Sequence, residues 1–406
     1  MKLSTYILGA GLLFSLNTNA QSDSSFVDTT QSSISIGLNY RLSSNAVQTQ
    51  FMKNLYQGNA IIHADKAEVS AQLEDDNQLG FINQYEVKWR GNPNSIFKKY
   101  YPIVSASENL FANASFTRDI FRLTFYGNSV YEGESAVLGG TSINYSHFQT
   151  VDFGVGRRSE NTTMEASLGF VKGVQSVELN IELGELYTAP DGEFIDIAIN
   201  GNLFLSDTSN VGLGAMNGQG FDFNFSMDHQ INETTNIQFK VNQLGLIQWN
   251  DPVQNFQVDS VFHFTGITVD NIFEIQDSVF TQETNIDSIV AEYQTTSSAR
   301  RSYLPAKISL AFQKKINNWA FTLGADHYFN ANYKTHLIVH PDYTLNEKLT
   351  IGGRIGLGGY TDYHFGLGAS YKVPAFQVDF GADAMTGYIL SGGKNQSAYI
   401  RLKYFL

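Results

Sequence analysis

Apolar and polar residues alternate with a period of two along most of the chain, most clearly in its last ten residues, SAYIRLKYFL. One face of this segment carries four large apolar side chains, namely Ile400, Leu402, Tyr404 and Leu406. The opposite face carries the cations Arg401 and Lys403. Such alternation predicts a β-strand whose two sides meet different surroundings. We expect the apolar side to meet lipid and the cationic side to meet a wet lumen.

The same period recurs upstream and predicts a series of strands. Six of them fall before an interruption, at about 142–156, 162–172, 176–186, 193–205, 220–230 and 235–246. Six more precede the last strand, at about 305–315, 319–329, 333–342, 347–357, 362–372 and 375–384. Three N-terminal segments, 34–42, 81–90 and 98–107, bring the predicted number to about sixteen.

An alternative count depends on residues 117–126, which fit either another strand or a short helix capped by Thr117. If this segment spans, the N-terminal segment folds inside as a plug and about fourteen strands remain. In the preferred count, residues 43–78 form an external or lumen-filling excursion. The last strand then closes against 34–42, so that neither strand keeps a free edge.

Composition places these strands in a membrane. The chain has 30 Phe, 21 Tyr and 35 Gly, only 16% charged residues, and no cysteine for disulfides or thiol chemistry. Residues 1–20 have a basic start, an apolar run and a small-residue end, which predicts a secretory signal cleaved after Ala20. No later apolar run is long enough for a spanning helix. The mature chain, 21–406, is therefore predicted to be an all-β, antiparallel transmembrane β-barrel in the outer membrane.

Connection lengths agree with a barrel whose C-terminus lies in the periplasm. The connections that then fall on the periplasmic side are short, namely 372–375, 343–348, 316–318, 231–234 and 188–192. The long ones fall outside, namely 385–395, 247–304, 206–219 and 109–141. Two nominally external links, 330–332 and 173–175, are short and depart from this rule.

Residues 247–304 form a distinct acidic insert. Eight acidic residues lie between Asp251 and Glu292, and no Lys or Arg occurs between Lys240 and Arg300. The i, i+3, i+4, i+7 spacing of Ile286, Ile289, Val290 and Tyr293 predicts helical turns, so we expect a small external cap. A solvated acidic face explains the charge better than calcium binding, because no loop has the spaced ligand pattern.

The net charge and the two faces of the strands indicate which partners this protein contacts. The net charge of −13 excludes nucleic acid as a partner, since phosphate binding needs a basic surface. We expect contacts with outer-membrane lipid and with the outer-membrane assembly machinery, which reads an alternating terminal strand. Besides Arg401 and Lys403, the predicted lumen-facing residues are Glu86, Lys88 and Lys240.

The chain resembles a family of outer-membrane barrel proteins of unknown function from Bacteroidota. The likeness covers roughly residues 80–406 and rests on three short segments and a glycine-rich C-terminal third. The segments are LTFYGNSVYEG from Leu123, LGFVKGV from Leu168 and LPAKI from Leu304. The resemblance implies a barrel and an outer-membrane address. It implies no catalytic residue, and its fatty-acid-transporter-like and gliding or secretion-associated relatives are analogies only.

The sequence gives little support for a catalytic or metal site. Adjacent strand residues such as Asp228 and His229, or Asp326 and His327, point to opposite faces. Asp362 and His364 share a predicted face above Ser370, which is a weak basis for a hydrolase. His336 and His340 are about 13 Å apart along a strand, too far to share one metal. The glycines of 351–360 lack the following helix of a nucleotide-binding loop and are expected to ease curvature or packing.

We therefore predict no catalytic, cofactor-binding or metal-binding residues. The first functional hypothesis is a passage or docking site for small or hydrophobic solutes, controlled by residues 43–78 and the acidic insert. The second is a structural or partner-binding barrel of a surface or secretion-type assembly, with 109–141 and 247–304 as its interaction surface. A hydrolase comes third.

Overall fold

The computed structural model describes residues 31–92, 99–250, 252–265 and 299–406, and the backbone of 294–295. The signal segment, most of the acidic insert and the insert's predicted helical turns lie outside the described residues. The α-helices of the described part are α1 (Thr49–Tyr56), α2 (His63–Ser70), α3 (Arg118–Tyr126) and α4 (Thr386–Ile389), and two short 3-10 helices lie at Asn128–Tyr131 and Pro190–Gly192. Its strands are β1 (Ser33–Ser44), β2 (Asn77–Arg90), β3 (Tyr100–Phe116), β4 (Ser135–Val137), β5 (Thr141–Arg158), β6 (Thr162–Thr188), β7 (Phe194–Leu205), β8 (Gly218–Asn232), β9 (Thr235–Trp249), β10 (Gln254–Thr265), β11 (Gln294–Thr295), β12 (Arg301–Tyr303), β13 (Lys307–Ile316), β14 (Trp319–Tyr328), β15 (Lys334–Thr344), β16 (Leu349–Gly359), β17 (Thr361–Lys372), β18 (Phe376–Ala382) and β19 (Asn395–Phe405).

Fourteen strands close into an antiparallel ring. The order around it is β1, β2, β3, β5, β6, β8, β9, β13, β14, β15, β16, β17, β18 and β19. The last strand pairs with the first over eleven residues, from Ser33 opposite Phe405 to Ser43 opposite Asn395. The predicted all-β antiparallel barrel, closed by its terminal strands, is thus confirmed.

The ring has fourteen strands rather than the preferred sixteen because two predicted segments merge and one leaves the wall. Segments 162–172 and 176–186 are a single strand of 27 residues, β6. Its first half pairs with β8 and its second half with β7. β7 then pairs with β10, outside the ring. The connection after Thr188 therefore lies at the opposite end from the one predicted.

The number fourteen arises without an N-terminal plug. β1 is a wall strand between β19 and β2. The ambiguous segment 117–126 forms helix α3, and the Thr117 side chain accepts a hydrogen bond from the backbone N–H of Ile120. The N-cap signal in the sequence was therefore the correct interpretation of this segment.

The two ends of the barrel differ, and we name them by their connections. The turn end carries Leu406 and the short links such as 316–318 and 373–375, and the loop end carries all four α-helices. Between the ends, large apolar side chains project outward from the strands and are exposed, including Phe153, Leu168, Phe221, Leu323 and Leu367. An outward apolar belt around polar inward residues is the pattern of a transmembrane barrel. In the described part of the chain, no helix is both long and apolar enough to cross a membrane.

The excursion between β1 and β2 packs at the loop end. Its helices α1 and α2 join α3 in an apolar cluster, which we call the cap; its buried residues are Ala46, Val47, Phe51, Val69, Leu73 and Phe121. Three phenyl rings meet there, with Phe121 and Phe125 4.6 Å apart between centroids and Phe51 5.1 Å from Phe125. The excursion therefore caps the loop end rather than filling the lumen, and the location of this end outside the cell stays a prediction.

Candidate functional site

An apolar layer crosses the lumen near the loop end. It is a buried cluster contributed by strands on both sides of the ring, by β7 next to the ring, and by connections between strands. The members are Ile82, Phe111, Phe148, Val171, Phe204, Ile247, Trp249, Val253, Leu304, Tyr328, Tyr333 and Tyr360. The alternation that predicts a polar lumen is therefore interrupted at this level.

Contact between opposite walls shows that this layer spans the lumen. Tyr328 of β14 and Phe111 of β3 lie six strands apart in the ring of fourteen. Their rings nevertheless meet edge to face, with centroids 5.6 Å apart. Phe111 also stacks on Phe148 of β5 at 6.2 Å. Such contacts leave no open channel through the layer at these residues.

Connections, rather than wall strands, supply the remaining part of the layer. We call residues 329–333, between β14 and β15, together with Tyr360, between β16 and β17, the lid. The backbone N–H of Asn332 donates to the side chain of Asn113 on β3 at 3.3 Å, and its amide donates to Ser142 Oγ on β5 at 2.6 Å. The β14–β15 connection therefore folds inward and reaches the far wall.

Tyr333 and Tyr360 pack against each other within the lid, with centroids 5.0 Å apart. The Tyr360 ring lies flat on β2 at Gly80, where an added Cβ would come within 1.9 Å of it. Two glycines with positive φ, Gly358 and Gly359, turn the chain so that this ring points inward.

A polar network lies directly beneath the lid. The Tyr333 hydroxyl donates to Asp326 Oδ1 at 3.0 Å. Burial raises the pKa of Tyr333 well above its usual range, and the Asp326 carboxylate adds to this, so the hydroxyl stays protonated. Asp326 also contacts Lys307 Nζ and His336 Nδ1, each at 3.4 Å. The lid is thus tied to a charged side chain of the wall.

The network continues through two histidines to a second carboxylate. His336 and His364 face each other through their Nε2 atoms at 2.5 Å. His364 Nδ1 donates to the backbone carbonyl of Asp383 at 2.7 Å. The Asp383 side chain in turn meets Arg41 of β1 at 3.3 Å. The network therefore links β14 and β15 to β1 across the lumen.

Below the layer, the lumen holds two neighbouring polar cavities that share Asn39, Lys240 and Lys307 in their walls. One lies beside the histidines and has about 920 Å³ of empty space, and the other has about 1710 Å³; both volumes include space open to solvent. The second cavity extends to residues near the turn end, such as Lys88 and Lys403. All five predicted lumen residues lie in the wall of this second cavity, namely Glu86, Lys88, Lys240, Arg401 and Lys403.

One buried carboxylate in this cavity, Glu165, is paired with two cations. Glu165 of β6 accepts from Lys88 Nζ at 2.9 Å and from Arg90 Nε at 2.6 Å. The Tyr101 hydroxyl donates to the same carboxylate at 3.0 Å. Three strands are thereby tied together inside the lumen.

On the last strand, the predicted lipid-facing side chains and the predicted lumen-facing ones fall on different sides. Leu402, Tyr404 and Leu406 are exposed, and Ile400 is half-buried. Lys403 is buried, and Arg401 is half-buried. Contact of the first set with lipid stays a prediction.

The hydrolase candidate does not assemble as the sequence predicts. Asp362 is exposed while His364 is buried, because the β16–β17 register shifts beside Gly358. His364 instead contacts His336 and belongs to the polar network beneath the lid. His340 is buried on the same strand as His336, as expected. Among the described residues, no three or more His, Asp or Glu side chains are arranged to hold a metal ion.

Sequence reasoning missed the lid and the network. The local signals for the lid were the Gly358-Gly359-Tyr360 turn and Asn330, which has a positive φ of 58° in a very short link. The contacts of Asp326 had no such signal, because they depend on the register of β14 with its neighbours β13 and β15.

A single substitution at the base of the lid tests its packing. We expect Gly80→Ala to displace the Tyr360 ring, because the added Cβ cannot fit beneath it, and to destabilise the barrel by roughly 1–3 kcal/mol. Urea unfolding in lipid vesicles measures this. Gly37→Ala on the neighbouring strand is the control, since nothing lies within 4 Å of its Cβ. Equal stability of the two variants would contradict the lid geometry.

A family model described as a family of unknown function (DUF5723) matches residues 25–383. The chain belongs to this family. The predicted resemblance to a family of unknown function is thereby confirmed, while the source in Bacteroidota stays a prediction. No curated protein matches the chain in sequence.

Solved structures similar to this DUF5723 protein include several outer-membrane barrels at very low identity. A FadL homologue of Pseudomonas aeruginosa is 10% identical, with a TM-score of 0.44, over 94% of this chain and 91% of that one. The toluene transporter TbuX of Ralstonia pickettii is 12% identical, with a TM-score of 0.41 and coverages of 93% and 90%. The toluene transporter TodX of P. putida is 9% identical, with a TM-score of 0.39 and coverages of 93% and 90%. With scores below 0.5, we draw nothing about this chain from them.

Proposed function

We propose that this protein is a gated passage for small or hydrophobic solutes across the outer membrane. The observation that carries the proposal is the origin of the obstruction: connections folded inward complete the layer that closes the lumen, above a large polar cavity. A wall built only for support gains nothing from keeping such a cavity. A closure made of connections can open without breaking the hydrogen bonds between wall strands.

The composition of the layer favours solutes with apolar surface. Its lid residues Tyr333 and Tyr360 pair aromatic rings with hydroxyl groups, which can accommodate apolar and weakly polar groups alike. The cavity below is lined by both signs of charge, including Glu86, Lys88 and Arg401. A solute that passes the layer therefore enters a hydrated compartment.

The proposal places the loop end outside the cell and the turn end in the periplasm. The cap and the predicted acidic insert then stand at the external mouth, above the lid. The cap forms a cluster separate from the apolar layer, so it would control access to the mouth and leave the closure itself to the lid. Export through the predicted signal 1–20 and insertion by the assembly machinery belong to the same proposal.

Uptake by vesicles tests the passage. Vesicles containing the protein should admit small apolar or weakly polar solutes faster than vesicles without it, and should admit charged solutes of similar size poorly. The readout is the rate of solute entry, with deletion of residues 45–76 as a second variant. Entry no faster than in protein-free vesicles, for both chains when folded, would contradict the proposal.

A second candidate function is supported by the sheet outside the ring. β10 pairs with β7 along its whole length. Leu183 and Val261 in this extension are 71% and 73% exposed. Exposed apolar side chains beyond the membrane belt are typical of contact surfaces. A surface protein partner bound there would fit the structural or partner-binding hypothesis, and alanine at both positions would abolish its binding without affecting uptake.

A further inference from the structure

Two buried aspartates face each other across a glycine in the lumen wall. Asp152 of β5 is paired with Gly169 of β6, and Gly169 is paired with Asp222 of β8. The two aspartates are 4% and 1% exposed. A Cβ on Gly169 would lie 2.4 Å from Asp152 Oδ1 and 2.0 Å from Asp222 Oδ1. Both oxygens therefore converge above the glycine and are at most 4.4 Å apart, the sum of those two distances.

Protein donors satisfy every carboxylate oxygen of the pair except one. The amide of Asn224 donates to Asp152 Oδ1 at 2.9 Å and to Asp222 Oδ2 at 3.0 Å. Asp152 Oδ2 accepts from Ser105 Oγ and Thr150 Oγ1. Asp222 Oδ1 has no hydrogen-bond partner. A buried acceptor without a partner, aimed at another carboxylate oxygen, needs something between the two.

We propose that Asp152 and Asp222 form a proton-binding site, in which one proton is held between Asp222 Oδ1 and Asp152 Oδ1. Two carboxylates this close in a buried place do not both ionise, and sharing a proton converts their repulsion into a hydrogen bond. None of the described lysines or arginines forms an ion pair with either aspartate.

A metal ion fits this site less well than a proton. Hard cations such as Ca²⁺ take six to eight oxygen ligands, and here two oxygens converge. The Asn224 amide turns its N–H groups toward the pair, because its Oδ1 accepts from the backbone N–H of Gln243 at 2.8 Å. An amide fixed in this orientation would repel a cation.

The charged side chains on the neighbouring strands define the electrostatic setting. β6 contributes Glu165, which Lys88 and Arg90 neutralise. β8 contributes Asp228 and β9 contributes Lys240, both in the wall of the same cavity. From β3, the contact is the neutral hydroxyl of Ser105. The site lies just below the point where β6 leaves the ring to pair with β7, so its proton holds the wall together beneath that branch.

Loss of the proton at high pH should weaken the fold. The folded state holds a proton that free aspartates release near their ordinary pKa, so stability falls as pH rises until the site is deprotonated. One proton corresponds to a change of about tenfold in the folding equilibrium constant per pH unit within that window. Above that pH window, the free energy of unfolding no longer changes with the titration of this site.

The test compares the wild type with Asp222→Asn by urea titration in lipid vesicles at a series of pH values. We expect the variant-to-wild-type ratio of folding constants to rise with pH, because the neutral amide replaces the protonated acid. For Asp152→Asn, the same ratio should also rise with pH. Glu165→Gln is the matched control, since it removes a carboxylate that cations already satisfy. It should fold less stably than the wild type at every pH.

Three results would overturn the proposal. One is a ratio for Asp222→Asn that stays constant or falls with pH. Another is that a chelator destabilises the wild type but not this variant, because that result would reveal a bound metal ion. If neither aspartate variant folds, infrared spectroscopy of the wild type decides: the carbonyl stretch of a buried protonated carboxyl should vanish on raising the pH, and its absence at every pH would contradict the site.

Discussion

Replacing both Tyr333 and Tyr360 by alanine should turn a closed barrel into a conducting one. These two rings pack together at 5.0 Å and fill the part of the layer that connections supply. Their removal leaves the hydrogen bonds between wall strands in place, so the ring should persist around a continuous path. Single-channel recording in a planar bilayer should show a steady open level that the wild type lacks.

The double variant needs a control for folding and for position. Truncating a buried aromatic residue costs about 3–5 kcal/mol, so heat-modifiable gel mobility must first show that the barrel has formed. Tyr303→Ala is the matched substitution, because this tyrosine at the loop end is 72% exposed and outside the lid. A folded double variant as silent as the wild type would show that something else closes the lumen.

Removing the Glu165 carboxylate should be the most destabilising single change in the wall. It accepts from Lys88, Arg90 and Tyr101, and it is 5% exposed. Glu165→Ala leaves two half-buried cations, Lys88 and Arg90, without a counter-charge; breaking a buried ion pair in this way costs about 3–5 kcal/mol. Urea unfolding in vesicles near neutral pH should show this loss.

A second carboxylate on the same strand provides the comparison. Glu185 lies on the half of β6 beyond the ring and is exposed. Glu185→Ala should stay within about 0.5 kcal/mol of the wild type. If Glu165→Ala lost no more than this, the ion pairs at Glu165 would contribute little to the fold.

Period-two alternation was enough to place most wall strands, because each strand separates an apolar outside from a polar inside. It could not show that β6 continues through 173–175. A register shift accommodates an extra residue there, and the strand keeps alternating while its partner changes from β8 to β7. Partner choice along a strand is a tertiary property, which explains the difference between sixteen and fourteen.

The closure of the lumen could not be predicted from the sequence for a related reason. Tyr328 and Phe111 are far apart in the chain and meet only because the ring brings opposite walls together. The paired aspartates show the same limit: alternation places Asp152 and Asp222 inward, but only register sets them on either side of Gly169. Faces of strands are local properties, whereas the chemistry of this lumen depends on neighbours in the ring.

The central claim is that the lumen is open at the turn end and closed by the lid at the loop end. The chain has no cysteine, so Ser226→Cys, in the wall of the second cavity, gives a unique thiol. The decisive measurement is its labelling by a membrane-impermeant thiol reagent added to one side of oriented vesicles at a time. We predict reaction from the turn-end side alone, and from both sides once Tyr333 and Tyr360 are alanine. Equal labelling from both sides in the otherwise unchanged protein would contradict the closed lid.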